Sequence, residues 1–194
     1  ARAAFIHATT RVALGKLREA NDEFAALEAS LENNDPDGIR DMAIIHQARI
    51  LLELGEIQPA HQAYQRVPRG SAHFDDALYE MAWLQLHRAS TLTDQSLQSI
   101  ELNRAKDSID HLLLLSEDED LRSEARILLA NILMALRREQ EAAGVFALNA
   151  QRYAPVLDAI DHSIMSILGP SDWYQKLMAS ETERRAFLPT LART

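Results

Sequence analysis

The chain contains no cysteine, which excludes a disulfide framework, a thiolate metal site and a cysteine nucleophile but leaves the redox compartment open. Glycine and proline are scarce, six of each. Ala, Leu, Glu, Arg and Gln fill almost every stretch between them, so helix is favoured along most of the length and no sheet is expected. Positive charge is also in deficit: 20 Lys and Arg face 29 Asp and Glu, a net charge of -9. Gripping a phosphate backbone takes a basic surface, so nucleic acid is not an expected partner, and a basic or strongly polar one fits better. No apolar run approaches the roughly 20 residues that span a bilayer. The leucine run at 112–115 stops at the acidic stretch 116–120, so direct membrane insertion is not expected. Ala1 opens the sequence with neither methionine nor signal peptide, which reads as a processed or excised piece, and any targeting segment or anchor would lie outside it. What is present is 194 residues of 47% apolar content, enough to bury a sizeable core.

Chemistry-bearing motifs are missing as well. The seven histidines are scattered, none in the HExxH spacing that sets two imidazoles and a base on one helix face. Asp110 with His111, and Asp158 with His162, supply two ligands each at best, so no metal and no cofactor is expected. The loop Asn33, Asp35, Asp37, Gly38 begins like a calcium loop, but Pro36 falls inside it, Arg40 takes an apolar position and Ile44 stands where a bidentate glutamate belongs. It reads as a turn. No phosphate-cradling glycine loop or nucleophile elbow is visible, and nothing positive points to an enzyme.

What recurs is a pattern around four alanines, Ala20, Ala60, Ala105 and Ala142, at intervals of 40, 45 and 37 residues. Four residues after each stands a bulky apolar side chain (Phe24, Tyr64, Ile109, Phe146), one turn on along the same helix face. Twelve residues before three of them lies another alanine (Ala8, Ala48, Ala130), and Ala82 serves the remaining unit. Gly15 and Gly55 precede the first two by five residues, where a turn between two close helices needs positive φ; Arg137 stands there in the fourth unit. The spacing reads helix, turn, helix.

These residues resemble the tetratricopeptide repeat, in which small side chains let helices A and B approach across a short turn. The family's repeat is about 34 residues long, and the extra residues here fall around 33–38, 90–94 and 116–120. The likeness covers residues 1–153 and implies an all-α, right-handed α-solenoid of about four TPR-like helix pairs plus C-terminal capping helices. The units run 1–35, 36–70, 71–116 and 117–153, with 154–194 as the cap. Helices are expected at 2–14, 17–32, 37–54, 57–67, 72–89, 94–115, 119–136 and 139–152, with Asp94 or Thr93 capping the sixth. Pro155 should open a further helix ending at Gly169 and Pro170, and Ser171 another whose Trp173, Tyr174 and Leu177 pack back onto the array.

The resemblance also implies a partner site, because the A helices of the family line a groove. The matching residues are Arg2, Phe5 and Thr9; Met42, Ile45, Arg49 and Glu53; Asp76, Tyr79, Trp83, Leu86 and His87; and Glu124, Ile127, Asn131 and Met134. Among these, Arg49, Glu53, Tyr79, Trp83, His87 and Asn131 are the expected partner-binding residues, Tyr79 and Trp83 being rigid aromatics one turn apart. The subfamily that binds chaperone tails clamps a carboxylate with lysine, arginine and asparagine. His46, Asp76 and Glu80 stand in those places here, and two acids repel a carboxylate. The phrase HFDDALYEMAWLQL looks like repeat units of bacterial cell-envelope proteins. The expected function is a non-catalytic scaffold that binds another protein or a peptide, in the envelope or periplasm rather than the cytoplasm. The alternatives are a helical domain of a larger enzyme or envelope machine, a homo-oligomer, or a stretch of a longer repeat array.

Overall fold

The computed structural model describes residues 1–31, 35 and 38–179, with side chains through 164. Eight α-helices follow one another among these residues, with no strand: α1 (Arg2–Ala13), α2 (Leu17–Ser30), α3 (Ile39–Glu53), α4 (Ile57–Gln65), α5 (Phe74–Thr91), α6 (Gln95–Leu115), α7 (Glu119–Ala135) and α8 (Glu139–Ala179). From α1 to α7 each helix packs on the next, and α1 also touches α3, as α5 touches α7. Contact between next-but-one helices is what stacked hairpins produce, each layer burying the face its neighbour leaves open. The fold is all-α and TPR-like, as the alanine spacing implies.

The eight alanines of the repeat, Ala8, Ala20, Ala48, Ala60, Ala82, Ala105, Ala130 and Ala142, are all 0% exposed. A methyl at each point lets two backbones come close, and the gap is filled by the large side chain one turn on. Phe24, Tyr64 and Ile109 are buried there, and burying such a side chain is worth about 1.5–3 kcal/mol. Phe146, the fourth of the set, is 40% exposed and closes the first compact unit. Phe74 and Met81 of α5 pack on two core clusters at once, the Ile44, Ala48 and Leu84 cluster and the Leu78, Ile109 and Leu128 cluster, which ties the second layer to the third.

Three of the four hairpins share one turn. At Gly15 (φ 73°), Gly55 (φ 77°) and Arg137 (φ 61°) the chain enters the left-handed region. The N–H of Lys16 reaches Arg11 O at 2.9 Å, that of Glu56 reaches Leu51 O at 2.8 Å and that of Arg138 reaches Leu133 O at 2.9 Å. This six-to-one bond of a Schellman cap closes the helix end, and the left-handed residue makes it reachable. Arg137 keeps the geometry without glycine, at a conformational cost. The third hairpin is built differently: Leu92 is extended, and Asp94 caps α6 by accepting from Ser96 N at 2.7 Å and Leu97 N at 3.1 Å. Asp118 caps α7 in the same way, at 2.9 and 3.0 Å. Before α3, Asp35 accepts from Ile39 N at 2.8 Å and Arg40 N at 2.7 Å, so its carboxylate is committed to the helix start. Asn33, Pro36 and Asp37 lie outside the described residues.

The C-terminal reading needs correction. Instead of ending near 152 and restarting at Pro155, α8 is one helix of 41 residues that runs through Pro155, Gly169 and Pro170. A proline removes one backbone donor, and good helix formers on both sides carry the helix through. The packing expected of Trp173, Tyr174 and Leu177 lies outside the described side chains. Two compact units result, residues 1–146 and 147–194. In the second, Tyr153, Val156, Leu157 and Ile160 follow helical spacing and are exposed. No helix among the described residues is long and apolar enough to cross a membrane.

Candidate functional site

The residue after each A-helix alanine stands at an equivalent point of the array: Thr9 on α1, Arg49 on α3, Trp83 on α5 and Asn131 on α7. All four are exposed, as are Glu53 and His87. The helix period explains this, because the residue beside a fully buried alanine is turned about 100° away from the core. Tyr79 is half-buried and packs against the core cluster of Leu78, Ala82 and Ile109, and Ile45 is buried outright in the Ala48 cluster. Tyr79 therefore does not share Trp83's exposure.

Arg49 is exposed but engaged. Its guanidinium grips Glu80 of α5 with both edges, Nε donating at 2.8 and 3.1 Å and Nη2 also bonded to Oε1. Glu80 Oε2 accepts in addition from the hydroxyl of Tyr64 on α4, at 2.8 Å. One carboxylate thus fastens α3, α4 and α5 together. Burial first, and the charge of Glu80 second, push the Tyr64 hydroxyl far above its ordinary value, so it stays a donor. The bond to Glu80 raises the Arg49 guanidinium further. Arg49 is thus a clamp within the array, and half of its side chain remains accessible beside the clamp.

Below Arg49, one turn back, His46 lies between two phenylalanines, stacked on Phe24 at 5.1 Å (interplanar 15°) and edge-on to Phe5 at 5.1 Å. Burial, and then the Arg49 charge, lower its pKa from 6.5. The ring therefore serves as a packing piece joining α1, α2 and α3 in its neutral form. Elsewhere the polar pairs tie helix to helix. Arg66, the residue just after α4, bonds Glu28 of α2 at 3.1 and 3.2 Å and Gln47 of α3 at 3.2 Å, and buried Glu101 of α6 meets Arg104 at 2.9 Å and Arg88 of α5 at 3.6 Å.

A different surface lies across α5 and α7. Trp83 is 47% exposed, and Ile127 and Met134 of α7 are 46% and 47% exposed, with Asn131 between them. Three large apolar side chains are thus exposed on two helices that touch one another, and apolar surface gathered in one place marks interaction sites better than scattered apolar residues do. Glu124 begins the same α7 face one turn before Ile127.

Sequence reasoning placed Arg49 in the groove without its partner. The available signal was opposite charge at Arg49 and Glu80 on successive A helices. Among the described residues no three His, Asp or Glu side chains gather in a way that could hold a metal ion. Among the described residues, one cavity of about 290 Å³ lies among His7, Glu23 and Leu27, and another of about 150 Å³ among Arg18, Asn21 and Glu56. Neither touches the α5–α7 patch.

No protein-family model and no curated protein matches the chain. Among solved structures it is similar to a kinesin light chain of Podosopora anserina with nearly identical TPR-like repeats, at 14% identity over 81% of this chain and 96% of that one, with a TM-score of 0.39.

Proposed function

We propose that the chain is a non-catalytic interaction module that holds a peptide or a protein surface on its A-helix face, across α5 and α7. The observation that supports this is the exposure of Trp83 together with Ile127 and Met134, on helices whose other faces are spent on the core. A rigid aromatic flanked by flexible apolar side chains supplies the anchor that dominates most interfaces. His87 and Asn131 add hydrogen-bonding groups beside it, and Glu53 extends the face onto α3. Arg49 contributes only the part of its side chain left outside the clamp. The likeness of residues 73–86 to cell-envelope repeats extends the proposal to a scaffold of the bacterial envelope, which fractionation of source cells tests directly.

The test is affinity capture from such cells with the chain immobilised beside its Trp83→Ala variant, the helix content of both checked by circular dichroism. A protein held by the native chain and lost with the variant supports the reading. Equal capture by both would move the site off this face and sink it.

A further inference from the structure

We infer that the partner of the α5–α7 face is a segment carrying lysine or arginine beside an apolar side chain. The inference rests on the proposed function and adds the chemistry of its occupant.

The charges on the A-helix face do not balance. Arg49 is cancelled by Glu80. Glu53 and Glu124 are exposed and form no ion pair among the described residues, and exposed Asp76 has the His73 imidazole at 3.6 Å and lies within the field of the Arg49 guanidinium. The other nearby arginines are turned elsewhere. Arg122 and Arg126 each stand two residues from Glu124, on the far side of α7, and Arg122 is paired with Glu119 at 3.2 Å. Arg88 turns instead to Glu101. The A helices that expose Trp83, Ile127 and Met134 therefore also expose carboxylates, with one on each of three successive A helices, within a chain of net charge -9.

A ligand with acidic groups meets repulsion here, and a purely apolar one must desolvate the bordering carboxylates without compensation. A basic segment satisfies both requirements. Its apolar side chain covers Ile127 and Met134, its cations reach Glu53, Asp76 and Glu124, and one of them can lie over the indole face of Trp83, where the ring quadrupole attracts positive charge. The acidic field also speeds encounter with such a partner at low salt. A second copy of this chain, equally negative, is disfavoured for the same reason.

The experiment measures fluorescence anisotropy of labelled short peptides against the full chain at low and moderate salt. One peptide alternates lysine with leucine, one glutamate with leucine, and one lysine with serine. The lysine–leucine peptide is expected to bind best and to weaken as salt rises, with Trp83→Ala weakening it about tenfold. Met134→Gln is the second probe of the patch should Trp83→Ala disturb folding. Glu53→Gln with Glu124→Gln should lower affinity and flatten the salt dependence. Equal or tighter binding of the glutamate–leucine peptide would overturn the inference while leaving the face as a docking site. Lysine–serine binding as tight as lysine–leucine, insensitive to both patch variants, would overturn the inference and remove support for the face. If no peptide binds, the basic partner is overturned; the cellular capture then decides whether the docking face falls with it.

Discussion

Arg49 and Trp83 stand at equivalent points of successive A helices, each just after a buried alanine, and both are exposed. Their surroundings differ. Arg49 faces a carboxylate on the next helix that also takes the Tyr64 hydroxyl, so the α3–α5 half of the A-helix face is closed by the array's own chemistry. Trp83 stands on α5, which touches α7; there Ile127, Asn131 and Met134 are exposed, and that half is left with apolar surface toward solvent. Repeat register and exposure therefore do not identify a binding residue by themselves. What separates a clamp from a candidate anchor is whether the next helix supplies a complementary group.

The sharpest way to break the contrast is to remove the clamp. Glu80→Ala leaves the buried Tyr64 hydroxyl without its acceptor and should lower stability by about 1–3 kcal/mol in urea titration, whereas Arg49→Ala, on the more exposed side, should cost less than about 1 kcal/mol. Equal costs would mean that the ion pair, not the buried hydroxyl, is the important contact. A control away from both halves is Arg137→Gly, which relieves a left-handed non-glycine residue and should raise stability by about 0.5–1 kcal/mol in thermal unfolding. A smaller effect follows from His46 beneath the clamp. Its folded pKa is lowered, so the unfolded state takes up the proton first; stability is complete above about 6.5 and declines as pH falls through that value. Unfolding measured from pH 7.5 to 5 should show this slope, reduced in His46→Gln. Smallest of all, Met134→Gln on the open half should leave stability within about 0.5 kcal/mol of the native chain, as an exposed position does. A larger loss would show that this patch belongs to the packing.

Much of the array could be read in advance because its signals are local. The buried alanines, the left-handed glycines and the cap at Asp94 each depend on a few neighbouring residues. Other features had no local signal. His46 is sandwiched by rings from two other helices. Glu80 looked like a mismatch to a carboxylate clamp and proved to be the acceptor for Arg49. The continuous α8 reverses a local rule, since Pro155, Gly169 and Pro170 all read as helix breakers and the helix runs through them.

By itself, then, the sequence determined that this protein is a stack of helix pairs, because helix propensity, a period of 3.6 and small residues at close approaches act over a few turns and leave no other economical fold. Which exposed side chains are engaged and which stand open was decided only by the tertiary structure. Arg49 meets Glu80, 31 residues further on in the next layer, and that juxtaposition is set by how one layer is rotated against the next and not by anything within a few turns of either residue.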